Sequence, residues 1–131
     1  MPNKTIANEW LQLAKRNIDA GIILFRERHF NDIVAVELHQ GIEKCFKAIP
    51  AFHNRAIVRT HDLIALLSDV NEFIAFDSDM TLKLEKATDY YVDKRYPGGG
   101  INFLPDDKEV EELIATANII FEKVYEYINE N

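Results

Sequence analysis

The sequence predicts an all-α protein, an antiparallel four-helix up-and-down bundle with one additional short helix, in a single domain over residues 1–131. Three observations carry that expectation. Apolar residues recur at three- and four-residue steps through most of the chain, nothing reads as a strand, and the breaks between periodic stretches are short. A chain of 131 residues also matches the commonest size for one hydrophobic core, ~100–150 residues, and leaves no room for a second.

The elements follow in order. Between Ile6 and Phe25, the residues Leu11, Ala14, Ile18, Ile22 and Phe25 mark the inner stripe of a first helix, and Trp10, Leu13 and Leu24 widen it. Such a width is expected of a helix covered on more than one side. After the break "RERHFND", Asn31 or Asp32 can cap a second helix, whose stripe is Ala35, Leu38, Ile42, Cys45, Phe46 and Ile49. Pro50, which has no N–H to donate, is expected to end it.

"AFHNRAIVR" then reads as a connection, and Thr60 as the cap of a short helix in "HDLIALLSDV" that turns Leu63, Leu66 and Leu67 inward. The cluster Asp77, Ser78 and Asp79 can start a fourth long-period stretch, "MTLKLEKATDYYVDKRY", with Leu84, Ala87, Tyr91 and Tyr90 facing the core. Pro97 and the glycines after it stop that helix. Beyond "PGGGINFLPDD" comes the cleanest amphipathic pattern in the chain: Val110, Leu113, Ile114, Ala117, Ile120, Phe121, Val124 and Ile128.

Composition excludes several classes. Hydrophobic residues at 47% and charged residues at 28% are an ordinary globular mix, and no apolar run approaches the ~20 residues of a membrane span. The start "MPNKTIANEW" lacks the basic head and apolar centre of a signal peptide, so a cytoplasmic location is expected. The single cysteine, Cys45, rules out a disulfide framework or a thiolate-ligated metal within one chain and reads as a small core residue. A net charge of −7 repels nucleic acid at long range and argues against general DNA binding. Against that background, Lys44 to His61 holds two lysines, two arginines and two histidines without one acid. The acids of "DDKEVEE" gather instead where the last helix begins, and its dipole favours them there.

Known catalytic patterns are mostly missing. A Glu-x-x-His pair, which carboxylate-bridged metals in bundles require, does not occur, nor does His-Glu-x-x-His; no metal or cofactor is expected. Gly98 to Gly100 are neither preceded by a strand nor followed by Gly-Lys-Ser or Gly-Lys-Thr, so a helix connection is the simpler reading. There remains a polar stripe on the second helix, Gln40, Lys44 and Lys47, and a second pair, Tyr91 and Arg95, on the fourth. If the two faces met, they would offer donors suited to phosphate and base edges. Equally, the lysines can be surface residues lying along the core and Tyr91 a core residue.

The stretches "HQGIEKCFKAI", "RTHDLIALL" and "YYVDKRYPGG" stand in order between a long first and a long last helix. Gln40, Glu43 and Lys44, Thr60 to Leu63, and Arg95 to Pro97 together resemble the HEPN family, the higher eukaryote and prokaryote nucleotide-binding domain. The resemblance covers nearly the whole chain. It implies a helical bundle, usually a homodimer, found beside a small nucleotidyltransferase or in defence and toxin-antitoxin systems. It also implies nucleotide or RNA binding, for which the candidates here are Gln40, Lys44, Lys47, His61, Tyr91 and Arg95.

Many members of that family are metal-independent endoribonucleases with Arg, four to six residues, then His. Histidine moves a proton and arginine stabilises the charge developing on phosphorus. In this chain Arg95 is followed by "YPGGGINFLP", without a histidine, which weighs against the nuclease. Arg55 and His61 have the spacing, but in a connection and at the start of a short helix. His61 can therefore cap that helix, bind phosphate or act as an acid–base group. A third possibility is an interaction partner that offers Tyr90, Tyr91 or Tyr96 for nucleotidylation.

Overall fold

The computed structural model describes residues 1–94 and 104–130, with backbone alone for 91–94. Its helices are α1 (Lys4–Arg26), α2 (Asn31–Phe52), α3 (Leu63–Val70), α4 (Met80–Lys94) and α5 (Asp107–Asn129), and no strand occurs among the described residues. The expected bundle is the observed one, with α3 as the added short helix. No helix among the described residues is long and apolar enough to cross a membrane.

Local chemistry sets the ends. Asn3 accepts from the Ile6 amide and starts α1, Asp62 accepts from the amides of Ile64 and Ala65 and starts α3, and Asp106 with Glu109 forms a reciprocal capping box on α5. Two expected caps are corrected. Residue Thr60 does not cap α3; its hydroxyl takes the Asp62 amide at 3.1 Å and shapes the turn before the cap. At α2 the cap position is Phe30, without a side-chain bond, and Asn31 instead donates to the Pro105 carbonyl and to Asp107, each at 3.0 Å.

Pro50 does not end α2 either. The helix runs on to Phe52, because proline in the last turn forfeits one backbone bond without breaking the turns before it. The turn closes after it, where the amide of Arg55 donates to the Pro50 carbonyl at 2.9 Å and Asn54 adopts a left-handed φ of 56°.

Cross-links between helix ends fix the directions. The Asn3 amide donates to the Phe52 carbonyl at 2.8 Å, and Asn8 and Asn129 exchange two bonds of 3.1 Å. The start of α1 therefore lies with the ends of α2 and α5. At the other pole, Asn31 ties the start of α2 to the start of α5. Consequently α2 and α5 run the same way and α1 runs against them; the Tyr90–Glu109 bond sets the end of α4 beside the start of α5, so α4 runs against them too. Helix α2 packs on all four others, whereas α1 and α4 do not pack together among the described residues and α4 meets α5 only sparsely. The bundle is flattened around α2.

That central place is why α2 is apolar nearly all round, with Val34, Leu38, Ile42, Cys45, Phe46, Ile49 and Phe52 inaccessible or almost so. Burial pushes the Cys45 thiol well above its ordinary pKa, which makes it an inert core residue. Helices α1 and α2 pack closely at Gly41, where an added Cβ would lie 2.6 Å from Ile18 Cγ1 and 3.2 Å from the Ala14 carbonyl oxygen.

Candidate functional site

Three residues of α2, His39, Glu43 and Lys47, stand at four-residue steps and so form one line along the helix. Glu43 is 7% exposed and His39 is fully buried, so this line brings ionisable groups into the core. The Glu43 carboxylate receives Lys47 Nζ on one oxygen at 2.8 Å and His61 Nδ1 on the other, also at 2.8 Å, with His39 Nδ1 4.0 Å away. Residue His61 arrives from the connection after α2, one residue before the Asp62 cap, and its side chain is 62% exposed. A carboxylate in the core thus holds an imidazole at the surface.

Burial raises the pKa of Glu43. The bonds from Lys47 and His61, with their charges, outweigh that effect and hold it below the ordinary carboxylate value. In a neutral His61, donation from Nδ1 to Glu43 leaves Nε2 as the basic atom, turned away from the carboxylate. An imidazole oriented in this way can accept and return a proton, and when protonated it can receive a phosphate oxygen.

The rest of the polar stripe faces α1. Asn17 donates to Glu37 at 2.8 Å and to Gln40 at 3.3 Å and accepts from Lys44 at 2.6 Å, all half-buried. Of the six nucleotide candidates, the structure gathers Lys47 and His61 on Glu43, and Gln40 and Lys44 on Asn17. The side chain of Tyr91 and the whole of Arg95 lie outside the described residues. Arg55 and His61 are committed to different acids, since Arg55 pairs with Glu72 at 3.0 Å and sits 5.0 Å over the Phe73 ring. The basic island is therefore not one positive patch: its members face different elements, and several carry a carboxylate that the sequence places outside it.

Further along, His53 stacks on Phe73 with centroids 4.1 Å apart and shares a 2.8 Å hydrogen bond with the Tyr127 hydroxyl. Beside this aromatic group, between the end of α2, residues 55–58 and α3, lies a mainly apolar pocket of about 220 Å³. A wider groove of about 390 Å³ separates α4 from α5, where the Tyr90 hydroxyl donates to Glu109 at 2.5 Å. Burial and that carboxylate push the Tyr90 phenol above its ordinary pKa. Among the described residues, no three His, Cys, Asp or Glu side chains are grouped to hold a metal ion.

The HEPN domain model matches residues 7–128. The chain belongs to the HEPN family. Among solved structures, this HEPN chain is similar to TT1696 from Thermus thermophilus, with a TM-score of 0.78 at 20% identity, over 92% of this chain and 97% of that one. It is also similar to ST0689, described as an archaeal HEPN homologue, with a TM-score of 0.73 at 18% identity over 93% and 97% of the two chains. At those identities the likeness is one of fold. No curated protein matches the chain.

Glu43 is what sequence reasoning missed as a site residue. It was visible only as part of a short family pattern, although its four-residue spacing from both His39 and Lys47 already marked a charged line on an otherwise apolar helix.

Proposed function

We propose that this HEPN domain binds the phosphate of a nucleotide or of an RNA chain at Lys47 and His61. Gln40, Lys44, Tyr91 and Arg95 belong to the same reading on sequence grounds. The observation that carries it is the half-exposed imidazole of His61 held by the buried Glu43 beside Lys47. Orientation by a largely buried carboxylate lowers the entropy lost when a ligand is gripped. The protein acts in this reading as a cytoplasmic homodimer, with a small nucleotidyltransferase as partner in a defence or toxin-antitoxin setting. Support for a second copy comes from α1, where Ile6 and Leu13 are 43% and 40% exposed on a single face.

Native mass spectrometry with ATP and a short RNA tests this reading. A dimer that retains ligand, and loses it in Lys47→Ala but not in Lys123→Ala, is the expected result. Equal retention in the two variants would remove Lys47 from the site.

A second reading, a metal-independent endoribonuclease, is favoured by the same Glu43–His61 pair, because a carboxylate-oriented imidazole is equipped for proton transfer. It expects RNA cleavage in the presence of a chelator that disappears in His61→Ala.

A further inference from the structure

The pocket beside α3 has dimensions and walls that suit one flat ring. At about 220 Å³ it falls below the ~300–1,000 Å³ of sites that enclose a whole drug-sized ligand, so it takes a fragment of a molecule rather than all of it. Phe46, Leu66, Val70 and Phe73 supply apolar walls. Phe73 is held between neighbours: His53 stacks on it at 4.1 Å, and the Arg55 guanidinium, itself fixed by Glu72, lies over it at 5.0 Å. With its faces taken by His53 and Arg55, Phe73 is a wall that an incoming ring meets at its edge, an arrangement aromatic pairs favour.

The rim is not neutral. Glu72 is occupied by Arg55, whereas Asp69, which also lines the pocket, is in no ion pair among the described residues. Its carboxylate accepts hydrogen bonds and donates none, which selects a ring that carries an N–H group. The pocket shares α2 and the connection after it with the carboxylate-held imidazole. Phe46 precedes Lys47 in sequence, the 55–58 stretch leads on to His61, and Glu43 and Pro50 are about 10 Å apart along α2. That is the scale on which a nucleotide separates its base from its phosphate.

We propose that this pocket is the base subsite of the domain and takes a heteroaromatic ring with an exocyclic amino group, adenine in particular, whose amine donates to Asp69. The orientation of the ligand, with its phosphate toward Lys47 and His61, rests on the function proposed above. The base subsite itself stands on the pocket.

Calorimetric titration with adenosine, AMP, ribose 5-phosphate and purine riboside, which lacks the amine, separates the two claims. Adenosine is expected to bind roughly tenfold more tightly than purine riboside, a difference that Asp69→Ala, which removes the acceptor oxygen, abolishes. Ala56 is exposed at the pocket mouth, so Ala56→Trp blocks entry without disturbing the core, and circular dichroism confirms its fold. Adenosine binding should be lost in that variant while ribose 5-phosphate binding persists. Binding of AMP and ribose 5-phosphate with equal affinity and no adenosine binding would overturn the base subsite and leave the phosphate reading intact. Adenosine binding unchanged by Ala56→Trp would overturn it as well. Adenosine binding to the wild type with no gain for AMP and none for ribose 5-phosphate would uphold the pocket and remove the phosphate reading; no binding of any probe would remove both.

Discussion

Glu43 Oε1 and His61 Nδ1 lie 2.8 Å apart, joining a carboxylate of the core to an imidazole of the surface across 18 residues of chain. The bond pins the end of the connection between α2 and α3 against the central helix. With Lys47 on the other oxygen, it makes Glu43 a structural as well as a chemical hub.

Stability should therefore depend on pH through Glu43. Its folded-state pKa lies below the ordinary 4.5, so the unfolded chain takes up the proton first as pH falls. The stabilisation it gives is full above about pH 4.5 and is lost as pH drops from there through the folded-state value. Glu43→Gln keeps the shape and removes the charge, and is expected to cost about 1–3 kcal/mol at pH 7. In urea unfolding the gap between wild type and variant should narrow toward pH 4. A gap that is constant with pH would show that the charge of Glu43 does not matter to folding.

The helices were legible in the sequence because burial imposes a period, and a period is a local property. Leu11, Ala14 and Ile18 on α1, and Val110, Leu113, Ala117 and Ile120 on α5, announce their helices and their inner faces together. Pro50 misled because a proline rule written for helix interiors weakens in the last turn, where few backbone bonds remain to lose. The site was less legible. The partner of Gln40 and Lys44 is Asn17, on another helix, and that of Arg55 is Glu72, beyond α3. No spacing within one element encodes such pairs; the crossing of α1 on α2 and the fold of the connection decide them.

The close approach of α1 to α2 gives a packing test. In Gly41→Ala the new methyl would meet Ile18 Cγ1 at 2.6 Å and the backbone oxygen of Ala14 at 3.2 Å. Alanine raises helix propensity by about 1 kcal/mol, but overpacking of this kind costs about 1–3 kcal/mol, and a backbone atom cannot swing aside as a side chain can. Net destabilisation is expected in chemical denaturation. Gly21→Ala should be milder, because its nearest contacts, at 2.9 and 3.0 Å, are side-chain atoms of Leu38 and the nearest backbone atom, the Val34 oxygen, is 3.5 Å away. Equal effects would mean that the two helices separate as a unit to accept either methyl.

His53 offers a titration whose sign can be followed group by group. Burial lowers its pKa below 6.5, the charge of Arg55 lowers it further, and the charge of Glu72 opposes both. A histidine depressed in this way leaves the folded chain binding fewer protons than the unfolded one, so its contribution to stability is highest above pH 6.5 and declines as pH falls through the folded-state value. In an NMR titration the His53 ring is expected to have its midpoint below 6.5. Arg55→Gln should move that midpoint up, since a repelling cation is gone, and Glu72→Gln should move it down. Both variants break the same 3.0 Å ion pair, so a purely structural response would shift the ring the same way in each. Opposite shifts can arise only from the charges, and they would fix Arg55 and Glu72 beside the His53–Phe73 stack that walls the proposed base pocket.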